Sequence, residues 1–201
     1  MESLDDGYLM AVAGALVWTP PLLRAWLDAC GSARDVIEWV GSHDTPPAGV
    51  DALGARALER LRALDDDAAR GAVAALSSSG SRLVRDGDDE YPVALHDLPD
   101  APPLLYVKGA ITSLGTRPVA VVGSRAATTY GRHVASSLCA ELGASGACIV
   151  SGLARGIDAS AHSAALAAGA RTVAVIGSGI SALYPPYHAL LADEIVAAAG
   201  R

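Results

Sequence analysis

The stretch VAVVGSR, residues 119–125, decides the fold of this chain. Val119–Val122 is a continuous apolar run made mostly of β-branched residues, which is typical of a strand buried on both faces of a parallel sheet. Gly123-Ser124-Arg125 follow directly, and a helical pattern then runs from about Thr129 to Leu142, where Gly143 ends it. The segment therefore predicts a strand, a glycine turn and a helix.

The same order of elements recurs twice toward the end of the chain. A strand at Ala147–Val150 leads through a glycine-rich turn to a helix at about Ile157–Ala168. A third strand at Thr172–Ile176 leads to a helix at about Tyr187–Ala199. Strands that alternate with helices at this spacing form βαβ units with right-handed crossovers. We therefore expect an α/β fold with a Rossmann-like parallel sheet, a three-layer α/β/α arrangement that is incomplete, over residues 79–201.

The preceding residues 1–78 have a different pattern and predict a small all-helical domain. Apolar side chains recur at helical spacing, and prolines and glycines separate the segments. The helices are expected at about 4–16, 20–30, 33–40, Val50–Leu64 and Asp66–Leu76. Ser77–Gly80 is predicted to be the linker between the two domains, and Leu104–Val107 a short additional strand.

The charge of the chain is unevenly distributed. The formal net charge is −7, and residues 1–118 carry 10 basic and 18 acidic side chains whereas residues 119–201 carry 5 and 4. Neither part has the broad basic face that non-specific nucleic-acid binding usually requires. An anion site in the second part must therefore depend on backbone amides and one or two arginines.

Several features favour a reduced cytoplasmic protein. The first residues are acidic and lack a basic n-region, and no apolar run reaches the roughly 18 residues of a membrane span. The three cysteines are Cys30, Cys139 and Cys148, an odd number without metal-ligand spacing. We expect no membrane association, no disulfide and no metal.

The carboxyl ends of the three predicted strands carry the candidate binding residues. Ligands of parallel α/β sheets lie at this edge. Glycines there allow close approach to main-chain amides, helix N-termini favour anions, and arginine can pair bidentately with phosphate. These residues predict a pocket for a phosphate or phosphodiester, although glycines that simply end parallel strands would give the same composition at each loop. The predicted phosphate-binding residues are Gly123, Ser124, Arg125, Ser151, Gly152, Arg155, Gly156, Gly177, Ser178 and Gly179.

A dinucleotide fingerprint also occurs in this region. Gly177-x-Gly179-x-x-Ala182 follows a strand, as the NAD-binding motif does. The match lies on the third strand of the unit and not the first, Pro185-Pro186 interrupt the helix that should follow, and no acidic ribose-binding residue can be placed. These departures argue against NAD, and we expect no cofactor.

Asp158 and His162 lie four residues apart at the start of a predicted helix and therefore on one face. A hydrolase site or a metal site can be imagined there. However, the sequence has no G-x-S-x-G nucleophile elbow and offers no evident third metal ligand. The favoured interpretation is that Asp158 caps the helix and fixes the turn while His162 supports the pocket, so that no residue is assigned to catalysis.

Several separated motifs, taken in order, resemble the DprA/Smf family (DNA-processing protein A). The similarity covers about residues 80–200, and the helical part resembles the sterile-alpha-motif-like or helix-hairpin-helix-like domain of many members. The motifs are Asp89-Glu90-Tyr91-Pro92, Leu105-Tyr106-Val107-x-Gly109, Val119–Arg125, Thr129-Tyr130-Gly131, Val150–Ala159, Val173–Gly179 and Tyr184-Pro185.

The resemblance implies a function. Members of the family bind single-stranded DNA during natural transformation, protect it, load the RecA recombinase onto it, form homodimers and are not known as enzymes. It implies that the Gly123-Ser124-Arg125 turn binds the phosphate backbone and that the Ser151–Asp158 segment forms the pocket wall. The family normally continues beyond the helix to Gly200 with further strands and the dimer surface, so we expect this chain to be shorter than its relatives.

Two other hypotheses remain at this point. One is an enzyme that acts on a nucleotide or sugar-phosphate, as some related Rossmann-like proteins do. Their Pro-Gly-Gly-x-Gly-Thr signature is absent from this sequence. The other is a partner-binding protein that acts through its helical region.

Overall fold

A computed structural model describes residues 4–16, 19–115 and 117–199. Contacts divide the chain into two compact units, Met1–Tyr106 and Val107–Arg201. None of the helices in the described ranges is long and apolar enough to cross a membrane.

The first unit is built from five helices around one apolar core. The core includes Val12, Trp26, Val36 and Leu61, all of which are almost fully buried. Amphipathic helices of this length obtain most of their stability from such packing. The helices are α1 (Leu4–Ala15), α2 (Pro20–Cys30), α3 (Ala33–Ser42), α4 (Ala55–Arg62) and α5 (Asp66–Ser78).

The expectation of a helix from Val50 is wrong, because α4 begins only at Ala55. The residues before it are held in a non-helical conformation. The Trp26 indole N–H donates to the Asp51 carbonyl oxygen at 3.1 Å. Leu53 is buried in the core of the same unit. A tertiary hydrogen bond and a buried side chain therefore replace the first helical turn that the sequence pattern predicts.

Two strands follow the helices of the first unit, and the second strand ends two residues beyond the boundary of that unit. They are β1 (Ser81–Arg85) and β2 (Leu104–Lys108), and they pair with each other. Leu83 and Leu104 pack against the helical core, so the first compact unit extends beyond the predicted linker at Ser77–Gly80. The first two residues of that linker belong to α5.

The second unit contains a three-stranded parallel sheet in the order β3-β4-β5. The strands are β3 (Pro118–Ala120), β4 (Cys148–Ser151) and β5 (Thr172–Ala174). The helices between and after them are α6 (Thr129–Ala144), α7 (Ile157–Ala167) and α8 (Ala189–Ala198). The expected α/β class with a parallel sheet and a preceding helical part is confirmed.

Helices α6 and α7 pack on the same face of this sheet. Ile149 of β4 forms a buried cluster with Cys139 of α6 and with Ala161 and Ala165 of α7. Apolar side chains that alternate along a strand point to opposite faces of the sheet. One face is therefore the core of the unit.

The opposite face is exposed at the carboxyl ends of the strands. Val122 and Val175 keep 77% and 63% of their surface exposed. The expectation that the strand at Val119–Val122 is buried on both faces is therefore wrong within the described residues. Hydrophobicity of a strand indicates that it can be buried, whereas its actual burial depends on which elements pack against it.

Candidate functional site

The loops after β3 and β4 interlock at the carboxyl edge of the sheet. The Ile157 amide donates to the Ser124 carbonyl oxygen at 3.3 Å. Gly156 has φ +83°, and a Cβ at this position would lie 2.2 Å from the Ser124 oxygen. A Cβ on Gly123 would lie 2.6 Å from Cγ1 of Ile157. Both glycines are therefore needed for the close packing that brings the two loops together.

The buried carboxylate of Asp158 organises the loop after β4. Its Oδ2 accepts hydrogen bonds from the Gly152 amide at 3.2 Å and the Ala154 amide at 3.4 Å. These two amides are therefore not free to donate to a bound anion. The chain thus satisfies them itself, and Asp158 holds the turn in place. The expectation that Asp158 caps the helix is wrong, because the N-cap of α7 is Gly156 and no side chain caps this helix.

His188, which lies late in the second unit, forms a hydrogen bond with the same loop. Its Nδ1 lies 2.8 Å from the carbonyl oxygen of Leu153, and because that oxygen only accepts, Nδ1 carries the proton. Leu153 is buried and has φ +56°, the left-handed region that a branched side chain rarely occupies. Sequence reasoning missed His188, since no spacing links residue 188 to residue 153.

His162 lies in the core below the loops and not on the binding surface. Its side chain is 0% exposed. Thr172 Oγ1 donates to the Ile149 carbonyl oxygen at 2.8 Å, so the His162 Nδ1, 2.7 Å away, must donate to Thr172. Burial lowers the pKa of His162 to about 4, although the nearby Asp158 carboxylate opposes the shift.

The three predicted serines have different roles. Ser151 is buried, and its Oγ donates to the Val121 carbonyl oxygen at 2.6 Å, which ties β4 to the end of β3. Ser124 Oγ accepts from the Ala126 amide at 3.1 Å, and Ser178 Oγ accepts from the Tyr184 amide at 3.3 Å. Because these two hydroxyls accept, each keeps a proton that can be donated to a ligand.

Arg125 and Arg155 are exposed in the two interlocked loops. A Cβ on Gly156 would lie 3.0 Å from the Arg125 carbonyl group, so the arginines belong to adjoining backbone segments. Neither arginine makes an ion pair or hydrogen bond with the residues that the structure describes. Six of the eight arginines in the first unit, by contrast, have acidic partners in the described chain; these six are Arg24, Arg34, Arg62, Arg70, Arg82 and Arg85.

Main-chain donors also remain at this edge. Among the described residues, the N–H groups of Gly123, Arg125, Gly177 and Gly179 donate to no protein acceptor. The α6 N-terminus, where Thr128 Oγ1 accepts from the Gly131 amide at 3.0 Å, follows the Arg125 turn. Unpaired guanidinium groups, amides and a helix N-terminus at one edge suit an anionic ligand.

The residues that the structure describes contain neither a candidate metal site nor a disulfide bond. No group of three or more His, Cys, Asp or Glu side chains is close enough to hold a metal ion there. Cys30, Cys139 and Cys148 are free thiols, and burial raises the pKa of all three.

Comparison with known proteins gives the family. A profile described as DNA recombination-mediator protein A matches residues 82–200. This chain belongs to that family. DprA from Streptococcus pneumoniae is 46% identical over 112 residues, which is 54% of this chain and 38% of that protein. DprA from Bacillus subtilis is 37% identical over 124 residues, which is 61% of this chain and 42% of that protein.

Solved structures show the same relationship. The crystal structure of DprA from S. pneumoniae superposes with a TM-score of 0.68 at 32% identity and covers 94% of this chain and 64% of that one. A structure of DprA from Helicobacter pylori, reported for its single-stranded DNA binding mode, has a TM-score of 0.51 at 31% identity. It covers 58% of this chain and 51% of that one. The matched region spans 29% to 42% of the length of the curated relatives.

Proposed function

We propose that this chain binds single-stranded DNA along the carboxyl edge of its parallel sheet. The observation that carries the proposal is the pair of exposed arginines, Arg125 and Arg155, on two interlocked loops without an acidic partner in the described chain. An exposed cation next to unused main-chain amides suits the phosphodiester backbone. Few such contacts are available, so binding depends on these two loops.

The candidate residues divide into ligand-facing and supporting groups. The phosphate oxygens would meet the guanidinium groups of Arg125 and Arg155, the hydroxyls of Ser124 and Ser178, and main-chain amides. Those amides belong to Gly123, Gly177 and Gly179. The supporting group keeps the loops in place through the contacts described above and consists of Ser151, Gly152, Gly156, Asp158 and His188. His162, which the sequence also predicts to support the pocket, contacts Thr172 of β5 in the core.

The relatives supply support for the biological role. The family is described as a recombination mediator, and the H. pylori relative is reported to bind single-stranded DNA. We infer that the complete protein protects the incoming strand during natural transformation, acts as a homodimer and loads RecA onto that strand. This role belongs in the cytoplasm, and it requires no catalytic step.

The test is fluorescence anisotropy of a labelled oligothymidylate titrated with the chain and its variants. Arg125→Ala and Arg155→Ala should each weaken binding by roughly 10- to 100-fold, because hydrogen bonds to charged groups are worth about 1.5–3 kcal/mol. Arg117→Ala is the matched control. Arg117 is also exposed, but it precedes β3 and lies at the amino edge of the same sheet.

The control decides the interpretation. Unchanged binding by Arg117→Ala, together with losses at Arg125 and Arg155, supports the proposed edge. Equal losses in all three variants would show that only overall charge matters. Absence of any binding by the unaltered chain, or full binding without Arg125 and Arg155, would contradict the proposal.

A further inference from the structure

Two tyrosines are exposed in the segment after β5, at the carboxyl edge of the sheet. Tyr184 and Tyr187 keep 68% and 62% of their surface exposed. By contrast, Tyr8 and Tyr91 in the first unit are almost completely buried. Aromatic rings carry a large apolar surface, and their exposure at the same edge of the sheet as unpaired cations suits a ligand with both planar apolar and anionic parts.

Tyr187 is linked through His188 to the loop that carries Arg155. The rings of Tyr187 and His188 meet edge to face, with centroids 4.7 Å apart and an interplanar angle of 83°. His188 in turn donates from Nδ1 to the Leu153 carbonyl oxygen at 2.8 Å. Leu153 is two residues before Arg155. Two direct contacts therefore position the Tyr187 ring relative to the arginine loop.

We propose that Tyr187 stacks on a nucleobase of the strand whose phosphate is held by Arg155. This inference rests on the proposed function and adds a contact to the base. Every base has a π-face, so stacking on tyrosine is tolerant of sequence. It requires a base that is not already stacked within a duplex. Tyr187 would thus favour single strands over duplex DNA.

Three substitutions separate stacking from other uses of this exposed surface. Tyr187→Phe keeps the aromatic ring, whereas Tyr187→Leu keeps apolar surface and removes the ring. A protein segment docking on this surface would tolerate leucine, but a stacked base would not. Leu190→Ala is the matched control, because Leu190 is one helical turn further along and 77% exposed.

The experiment compares two probes of equal length, an oligothymidylate and an oligonucleotide of abasic sites with the same phosphates. The unaltered chain and Tyr187→Phe should bind the thymidylate more tightly than the abasic probe. Tyr187→Leu should lose roughly 5- to 100-fold on the thymidylate and nothing on the abasic probe. Leu190→Ala should bind both probes like the unaltered chain.

The outcomes also separate this inference from the proposed function. If Arg155→Ala weakens binding of both probes while Tyr187→Leu binds like the unaltered chain, the phosphate site stands and the stacking role is overturned. Equal affinity of the unaltered chain for the two probes would overturn it as well. If neither probe binds, the proposed function itself fails.

Discussion

Lowering the pH should destabilise the second unit through one residue, His162. The folded chain holds this side chain with no exposed surface and lowers its pKa to about 4, from an ordinary value of 6.5. The unfolded chain therefore takes up a proton as the pH falls below 6.5, while the folded chain resists protonation until about pH 4. Stability that is fully present above pH 6.5 is lost progressively as the pH falls toward 4.

The magnitude follows from the difference of the two pKa values. Each pKa unit corresponds to about 1.36 kcal/mol, so His162 alone should remove roughly 3 kcal/mol of unfolding free energy between pH 7 and pH 4. Carboxylates in the first unit affect stability only at lower pH, once the pH falls below their ordinary pKa values of 3.8 to 4.5. Hydrogen bonds from Tyr8, Arg24 and Arg82 hold the pKa values of Asp66, Asp86 and Glu90 below their ordinary values.

Urea unfolding at several pH values, followed by far-ultraviolet circular dichroism, measures this effect. His162→Gln removes the titration and keeps an amide donor for Thr172. His133→Gln is the matched control, since His133 is exposed on α6. Tryptophan fluorescence reports on the first unit separately, because every tryptophan precedes residue 40.

The unaltered chain and His133→Gln should lose about 3 kcal/mol more than His162→Gln over this pH range in the transition of the second unit. The fluorescence transition should have the same pH dependence in all three proteins. If His162→Gln loses stability in parallel with the unaltered chain, the burial of an uncharged His162 is not the cause, and the reasoning is refuted.

Substitutions at three further positions, each with a comparison variant, test the loop geometry by urea unfolding. Gly156→Ala should cost on the order of 2–4 kcal/mol, because its Cβ would clash with the Ser124 carbonyl oxygen at positive φ. Gly169→Ala, at φ +67° in open space, should cost only about 1 kcal/mol. Thr128→Ala should cost about 1 kcal/mol by removing the α6 cap, whereas Thr128→Ser should be close to neutral. Asp158→Ala should destabilise by roughly 2 kcal/mol because two loop amides lose their acceptor, and a loss no larger than for Asp158→Asn would contradict this role.

The sheet and its order of elements could be predicted from sequence because local signals agree. The apolar run at residues 119–122, the glycine turn after it and the helical pattern from Thr129 all indicate the same unit. The repetition of this unit determines that the strands are parallel and that their carboxyl ends share an edge. The candidate arginines follow from that edge, since Arg125 and Arg155 each lie in a loop after a strand.

The details of the site depend on contacts between residues far apart in the sequence. The hydrogen bond from His188 to Leu153 joins positions that no periodicity relates. The hydrogen bond from the Gly152 amide to the Asp158 carboxylate depends on the path of the loop. Composition alone indicates only that the loop can bind an anion. For the same reason the exposure of Val122 could not be predicted, because burial depends on neighbouring elements.

The salt dependence of DNA binding tests the central claim most directly. Each phosphate contact with single-stranded DNA contributes about −0.7 to the slope of the logarithm of the binding constant against the logarithm of salt concentration. Arg125→Ala and Arg155→Ala should each make the slope for an oligothymidylate shallower by about 0.7, and Arg117→Ala should leave it unchanged. A slope that is the same for the unaltered chain and for the double variant Arg125→Ala/Arg155→Ala would show that neither arginine contacts the DNA backbone.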